Sequence, residues 1–271
     1  MTSILEKIKR TYKILEKYYD TKPDTREKWT SSVVSELISL ICSQNTTNQW
    51  SSLMYTSILS RWPGKYGGEP DWNSVGDADQ SIIEIVLRNG PYFRTKARHI
   101  LKVIRTVRSR FETNSSKDWV KNFDVWCESN NTEVVREYFL SLSGIGRKTA
   151  ACVLLYRLRR ADFAIDTNVL RIGTRLGWFV EMNLKPQDSI VTSSMKRPSF
   201  AKRQPEGLKK FANKAHIFLL DKIKDCKDVE TLFQARRVSF VVSFSLITNR
   251  NARSNARTQS NTGTFFINAT W

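Results

Sequence analysis

Residues 140–178 read LSLSGIGRKTAACVLLYRLRRADFAIDTNVLRIGTRLGW, and no other part of the chain carries as much information. Two runs with the apolar spacing of helices are separated by SGIG at 143–146, and Arg147 and Lys148 follow directly. Two glycines one residue apart let the backbone turn sharply and approach a partner without a Cβ atom in the way. Because the second helix is expected to begin at Arg147, its unpaired N–H groups and its dipole point into the same space. This corner, flanked by cations, predicts a phosphate-binding turn.

Lys148 and Asp166 lie 18 positions apart and belong to a longer motif. The glycine turn reads L-x-G-x-G-x-K-T-A, an apolar helical run follows, and the chain continues with IDTNV at 165–169 and RLGW at 175–178. This pattern resembles the helix-hairpin-helix (HhH-GPD) DNA glycosylases of the endonuclease III family. Its second half is most similar to the DEMETER-like 5-methylcytosine glycosylases and their smaller endonuclease III-like relatives. The stretch ELISLICSQNTTN at 36–48 is similar to the helix and loop that push a polar residue into the DNA stack in that family.

The expected fold is all-α, because helical spacing dominates and no period of two persists anywhere. The resemblance sharpens this expectation to two helical lobes that put Lys148 and Asp166 on opposite sides of a cleft. Serine, proline and lysine content predicts a flexible insertion, and a polar cationic end predicts a disordered tail. The expected parts are a six-helix barrel at 33–160 with the hairpin at about 134–158, a second lobe from 1–32 and 161–248 with the insertion at about 185–207, and the tail at 249–271. Helices are expected over about 2–19, 31–42, 46–61, 79–88, 93–111, 132–142, 147–158, 168–176, 206–224 and 229–247.

The resemblance implies that Lys148 is the nucleophile that displaces a base from the sugar C1′ atom. The same residue then supports strand cleavage, because the resulting imine acidifies the C2′ proton and allows β-elimination. Such an attack needs an uncharged amine, and a partly desolvated position beside Arg147 favours that form. Without its context, Lys148 would more simply be a solvated lysine in a first helical turn that contacts phosphate.

Asp166 precedes the expected helix at 168–176, and the resemblance implies that it stabilises positive charge developing on the sugar and accepts the lysine proton. The simpler interpretation is an N-cap, which is among the commonest uses of aspartate before a helix. The two roles are compatible, because a cap fixes the direction of the carboxylate.

The resemblance also implies a set of DNA-binding residues around the two catalytic ones. Gln44, at an expected helix end that Thr46 or Thr47 follows as cap, is implied to fill the gap left by a flipped-out nucleotide. The simpler interpretation is a polar turn between helices. Asn168 is the DEMETER-like residue where bacterial-type enzymes more often have histidine, which points weakly to a modified-cytosine substrate. The implied DNA-binding set is Gly144, Ile145, Gly146, Arg147, Thr149, Gln44, Asn45, Thr167 and Asn168.

The expected helix at 93–111 carries seven basic residues around an apolar stripe. Such a charge run is usually a solvated face, but in a chain this basic a part of it is an equally good candidate for phosphate contacts. His99 on this helix and His216 on a later one are not spaced as ligands or as a catalytic pair, and neither receives a role. The seven are Arg94, Lys96, Arg98, Lys102, Arg105, Arg108 and Arg110.

Composition sets the wider limits. The 271 residues carry a net charge of +18 with a pI near 9.9, which indicates a polyanionic partner. Double-stranded DNA is the simplest candidate, and an acidic membrane surface is the alternative. The N-terminal residues lack the apolar segment of a signal peptide and contain acids that argue against a transit peptide. The protein is therefore expected to be an intracellular monomer, preferably nuclear, with an organellar destination left open.

The four cysteines, Cys42, Cys127, Cys152 and Cys226, are scattered and do not approach metal-ligand spacing. Many endonuclease III-type enzymes hold an iron–sulfur cluster on four closely spaced cysteines near the C-terminus. Because only Cys226 lies in that region, no cofactor and no metal are expected.

Three functions are compatible with these residues. The preferred hypothesis is a bifunctional DNA glycosylase and AP lyase of base excision repair that removes damaged or modified pyrimidines. The enzymatic alternative is a 5-methylcytosine DNA glycosylase. The alternative of another class is a catalytically inactive helix-hairpin-helix DNA-binding protein.

Overall fold

The computed structural model describes residues 3–18, 31–65, 68–182, 186–196 and 207–224. Within these ranges the regular structure is helical and contains no β-strand, so the expected all-α class is confirmed. No helix in these ranges is long and apolar enough to cross a membrane. The expected helix at 229–247 and the expected tail at 249–271 lie outside the described residues.

The helices follow the expected order with three additions. The additions are the helices Trp72–Asp77, Trp119–Ser129 and Pro186–Met195, and the expected helix at 147–158 is a shorter helix followed by a π-helical turn. The elements are α1 (Ile4–Tyr18), α2 (Val33–Ser43), α3 (Asn48–Arg61), α4 (Trp72–Asp77), α5 (Gln80–Leu87), α6 (Phe93–Phe111), α7 (Trp119–Ser129), α8 (Thr132–Ser141), α9 (Arg147–Cys152), the π-helical turn (Val153–Arg157), α10 (Thr167–Arg175), α11 (Pro186–Met195) and α12 (Leu208–Lys224).

The described residues form two compact units. One comprises residues 31–65 and 68–160, with helices α2 to α9, and is called the hairpin unit. The other comprises the described residues up to 18 and from 161 onward, with α1 and α10 to α12, and is called the terminal unit. Lys148 belongs to the hairpin unit and Asp166 to the terminal unit.

Helix α2 is the central element of the hairpin unit, because nine of its 11 residues are buried. Its start is held by several polar contacts. The Ser32 hydroxyl accepts the N–H of Ser35 as N-cap, and the Asp124 carboxylate accepts the N–H of Val33 at 2.8 Å. Arg157 joins this group by donating to the Ser31 carbonyl at 2.6 Å and to Asp124 at 3.3 Å. A helix fixed in this way at its start holds its last residues at a defined place.

The core of the terminal unit combines apolar residues of α1 with those on and around α10 to α12. Phe163 packs edge-on against Trp178, with ring centroids 6.2 Å apart. Just before Phe163, the buried Asp162 carboxylate lies 2.9 Å from Nε2 of the buried His216 on α12. These contacts anchor the extended segment that leads into α10.

Part of the segment expected to be a flexible insertion is helical. Helix α11 lies within 185–207, and its Val191 and Met195 are buried. Composition predicted flexibility because the segment is rich in serine, proline and lysine. Two apolar residues four positions apart nevertheless lie on the same face of a helix, and their burial packs that face of α11 against the core.

Candidate functional site

The glycine turn between α8 and α9 has the tight geometry that its sequence predicted. The N–H of Ile145 donates to the carbonyl of Leu142 at 3.2 Å, and the Ile145 side chain is buried. Gly144 has a φ of +81°, in the left-handed region that residues with a Cβ atom avoid. The turn is therefore closed from within by Ile145 and depends on glycine at position 144.

Gly146 serves as N-cap of α9 without any side-chain cap. Its φ of −101° and ψ of 176° are ordinary extended values, and an added Cβ atom would meet no atom within 4 Å. The start of α9 thus presents an open backbone surface followed by the half-buried Arg147 and Lys148. Within the described part of the chain, the Lys148 side chain makes no hydrogen bond or ion pair.

Gln44 contacts the hairpin directly. It is the C-cap of α2, and its Nε2 atom donates to the Gly144 carbonyl at 2.8 Å, with Thr149 Oγ1 at 3.4 Å. Asn45, the next residue, is exposed and has a φ of +51°. Thr47 rather than Thr46 caps the following helix α3. The structure therefore brings together Gln44 and the hairpin, two parts of the predicted DNA-binding set that are far apart in the chain.

His99 is a neighbour of the hairpin to which the sequence assigned no role. Its Nδ1 atom lies 2.9 Å from Ser143 Oγ, and its ring occupies the space beside Gly144, where a Cβ atom would come within 2.7 Å of His99 Cγ. Burial, and then the charges of Arg98 and Lys102, lower the pKa of His99 and favour the neutral ring. No sequence signal marks this contact, because it joins residues 44 positions apart.

In the terminal unit, Asp166 is the N-cap of α10. Its Oδ1 atom accepts the N–H of Asn168 at 2.9 Å and of Val169 at 2.7 Å. Thr167 is exposed and Asn168 is half-buried. The expected cap therefore exists, and because it uses Oδ1 it fixes the direction of the carboxylate.

Three of the four cysteines lie among the described residues, whereas an iron–sulfur cluster needs four thiolates close together. Cys42 and Cys127 are buried in α2 and α7, and burial raises the pKa of Cys42 to about 12 and that of Cys127 as well, so both favour the protonated thiol. Among the described residues no group of three or more histidine, cysteine or acidic side chains could hold a metal ion. Cys226 lies outside the described ranges.

No family model matches the chain. Individual proteins do match: a candidate DNA glycosylase of Arabidopsis thaliana is 28% identical over 184 residues, which is 63% of this chain and 56% of that protein. DEMETER-like protein 3 of the same plant is 34% identical over 131 residues, which is 47% of this chain and 12% of that protein. Endonuclease III of Sulfolobus acidocaldarius is 30% identical over 149 residues, which is 55% of this chain and 58% of that protein. The chain is a homologue of these three proteins. It spans little more than half the length of the first and third of these relatives.

Solved structures of DNA glycosylases share the fold of this chain. The structure of MBOgg1 in complex with a low-affinity DNA ligand gives a TM-score of 0.54 at 19% identity, covering 88% of this chain and 68% of that one. Helicobacter pylori 3-methyladenine DNA glycosylase (MagIII), bound to 1,N6-ethenoadenine, gives a TM-score of 0.53 at 15% identity, covering 91% of this chain and 99% of that one. At these identities the likeness concerns the fold alone.

Proposed function

We propose that the chain is a bifunctional DNA glycosylase and AP lyase of base excision repair that removes damaged or modified pyrimidines. The observation that carries the proposal is the hairpin at 143–148. The hairpin combines Gly144 in the left-handed region, the uncapped start of α9 at Gly146, and Lys148, which has no partner among the described residues. The chain that carries this hairpin is a homologue of a plant DNA glycosylase.

In this proposal Lys148 and Asp166 share the chemistry. The Nζ atom of Lys148 forms a bond to C1′ while the bond from C1′ to the base breaks, and the base leaves with the bonding electrons. The Asp166 carboxylate stabilises the positive charge that develops on the sugar and accepts the proton from the amine. The bond from C1′ to O4′ then breaks, O4′ takes up a proton, and an imine forms between C1′ and Nζ. Removal of the C2′ proton from this imine expels the 3′ phosphate and cuts the strand. Support from the described structure is that Oδ1 of Asp166 is held by two N–H groups, which leaves Oδ2 for this work.

The proposal assigns DNA binding to the residues around these two. The backbone phosphates at the hairpin are bound by Gly144, Ile145, Gly146, Arg147 and Thr149. Gln44 and Asn45 occupy the gap that a flipped nucleotide leaves, and Thr167 and Asn168 lie beside the catalytic acid. The hydrogen bond between Gln44 and Gly144 supports this assignment, because it joins the gap-filling segment to the phosphate-binding turn.

The experiment that tests the proposal compares Lys148→Gln with the parent on abasic-site DNA in the presence of borohydride. We expect the parent to be trapped covalently and the variant to bind without being trapped. Lys121→Gln, a change of the same kind at an exposed lysine of α7, should leave trapping intact. Equal trapping of the Lys148 variant and the parent would contradict the assignment. An inactive DNA-binding protein would show binding without trapping in all three.

A second candidate, excision of 5-methylcytosine, differs in the base removed. It is favoured by the similarity to DEMETER-like protein 3 and by Asn168 beside Asp166. Duplexes that contain thymine glycol, an abasic site or 5-methylcytosine separate the two candidates by which one is incised. Incision of none of them by the parent would reject both.

The proposed partner is double-stranded DNA, bound by a monomer in the nucleus. The net charge of +18 suits a polyanion, and the homologues include plant DEMETER-like proteins. A fluorescent fusion imaged in cells distinguishes the nucleus from an organelle, and sedimentation of the free chain checks the monomer.

A further inference from the structure

The seven cations of α6 are not equivalent, because most of them already have partners inside the hairpin unit. Lys96 is buried and donates to the Cys42 carbonyl at the end of α2 at 2.8 Å. Arg105 donates to the carbonyls of Gly76 at 2.9 Å and Ala78 at 3.0 Å. Both side chains thus donate to backbone carbonyls of the same unit.

Three further cations of the helix are engaged with acids or aromatic rings. Arg108 binds Asp77 at 2.6 Å and Glu112 at 3.1 Å, and Arg94 lies 4.0 Å from Glu84. The Arg110 guanidinium lies over the Tyr138 ring, 4.5 Å from its centroid. Within the described part of the chain, Arg98 and Lys102 are left as exposed cations of α6 without a hydrogen bond, an ion pair or a contact with an aromatic ring.

Arg98 and Lys102 lie next to the hairpin. In an α-helix each residue turns by about 100°, so positions 98 and 102 fall on the same side of His99, about one turn apart along the axis. The ring of His99 contacts Ser143 and Gly144, and both cations act on it electrostatically. The hairpin and this part of α6 are therefore adjacent on the surface of the hairpin unit.

We propose that Arg98 and Lys102 form a second phosphate-binding site, which receives the DNA backbone beside the phosphate held at the hairpin. The inference rests on the proposed DNA-directed function and adds a binding site that is separate from the chemistry. His99 is the spacer of this surface, because its ring stands between α6 and the glycine turn. Two cations one turn apart, about 6 Å along the helix axis, can each reach a phosphate oxygen on their long side chains.

The test measures how the affinity for a duplex with a tetrahydrofuran abasic analogue depends on salt concentration. Each phosphate contact contributes about 0.9 to the slope of log K against log salt, so R98A/K102A should flatten the slope by roughly 1 to 2. The control R94A/K121A also removes one arginine and one lysine from exposed positions of the same unit, and it should keep the parental slope. The swap R98K/K102R should keep it too, since it retains both charges.

If R98A/K102A and R94A/K121A reduced the slope of log K against log salt equally, the proposal would be overturned, because the total charge rather than the position of the cations would then set the affinity. An unchanged slope in R98A/K102A, with unfolding curves like the parent's, would overturn it as well. The inference and the proposed enzyme can fail separately. If no lesion is incised but R98A/K102A still flattens the slope, the second phosphate site stands and the enzymatic proposal falls. If the parent itself shows no salt-dependent binding to the duplex, the phosphate site falls.

Discussion

Replacement of Gly144 by alanine tests the hairpin geometry most directly. At a φ of +81°, a residue with a Cβ atom costs roughly 1–2 kcal/mol more than glycine. The new Cβ atom would also come within 2.7 Å of Cγ and 3.0 Å of Nδ1 of His99, so the ring must move. Moving the ring gives up the hydrogen bond between Nδ1 and Ser143, which contributes about 1 kcal/mol. Together these effects predict that Gly144→Ala lowers the free energy of unfolding by about 2–3 kcal/mol.

Gly146→Ala is the matched control, because it makes the same chemical change two residues later. Gly146 has extended backbone angles and no atom within 4 Å of the position of a Cβ atom. Alanine at such a site is expected to be neutral or to stabilise by about 0.4–1 kcal/mol, since it restricts the unfolded chain. Of the two glycines of this short motif, only Gly144 should therefore destabilise the protein when it is replaced by alanine.

Urea unfolding followed by circular dichroism measures both effects, and binding to the abasic-analogue duplex gives a second readout. Gly144→Ala should weaken binding even where the variant is fully folded, because a displaced turn no longer presents its N–H groups to the phosphate. If the two alanine variants were equally stable, the left-handed turn held by His99 would not exist in solution, and the explanation of the site would be wrong.

Three further changes are predicted. Burial raises the pKa of Glu36 from 4.5 to about 7, and the charge of Arg157 offsets only part of this rise. The folded protein therefore favours the neutral acid, and the free energy of unfolding declines as the pH rises from about 4.5 to 7. Glu36→Gln should therefore be more stable than the parent by about 3 kcal/mol at pH 8 but not at pH 4 in urea unfolding, and an equal gain at both pH values would contradict this. Asp166→Asn should keep the N-cap, whereas Asp166→Ala should lower the free energy of unfolding by about 1 kcal/mol. Both variants should lose borohydride trapping, and full activity of Asp166→Asn would contradict a catalytic role of the carboxylate. His99→Leu should lower the free energy of unfolding by about 1 kcal/mol and weaken DNA binding, and adding Ser143→Ala to this variant should lower stability little further, because both changes remove the same hydrogen bond. Additive losses of stability in the double variant would argue against this hydrogen bond.

Local sequence patterns were sufficient for the features that depend on near neighbours. The turn at 143–146 and the start of α9 at Arg147 follow from two glycines and the helical pattern behind them. The cap formed by Asp166 involves N–H groups only two and three residues away. The short helix α4 and helix α7 escaped prediction, because their apolar patterns are brief, and their starts at Asp71 and Asp118 use caps that resemble ordinary turns.

The packing of the helices decided the rest. Sequence spacing counted Lys96 among the solvated cations of α6, but the folded chain buries it against the Cys42 carbonyl and leaves Arg98 and Lys102 exposed. The hydrogen bond from Gln44 to Gly144 spans 100 positions, and no pattern along the chain reports it. The spacing of apolar residues predicts on which face of a helix a side chain lies. Which residues contact that face depends on how segments that are distant in the sequence pack together.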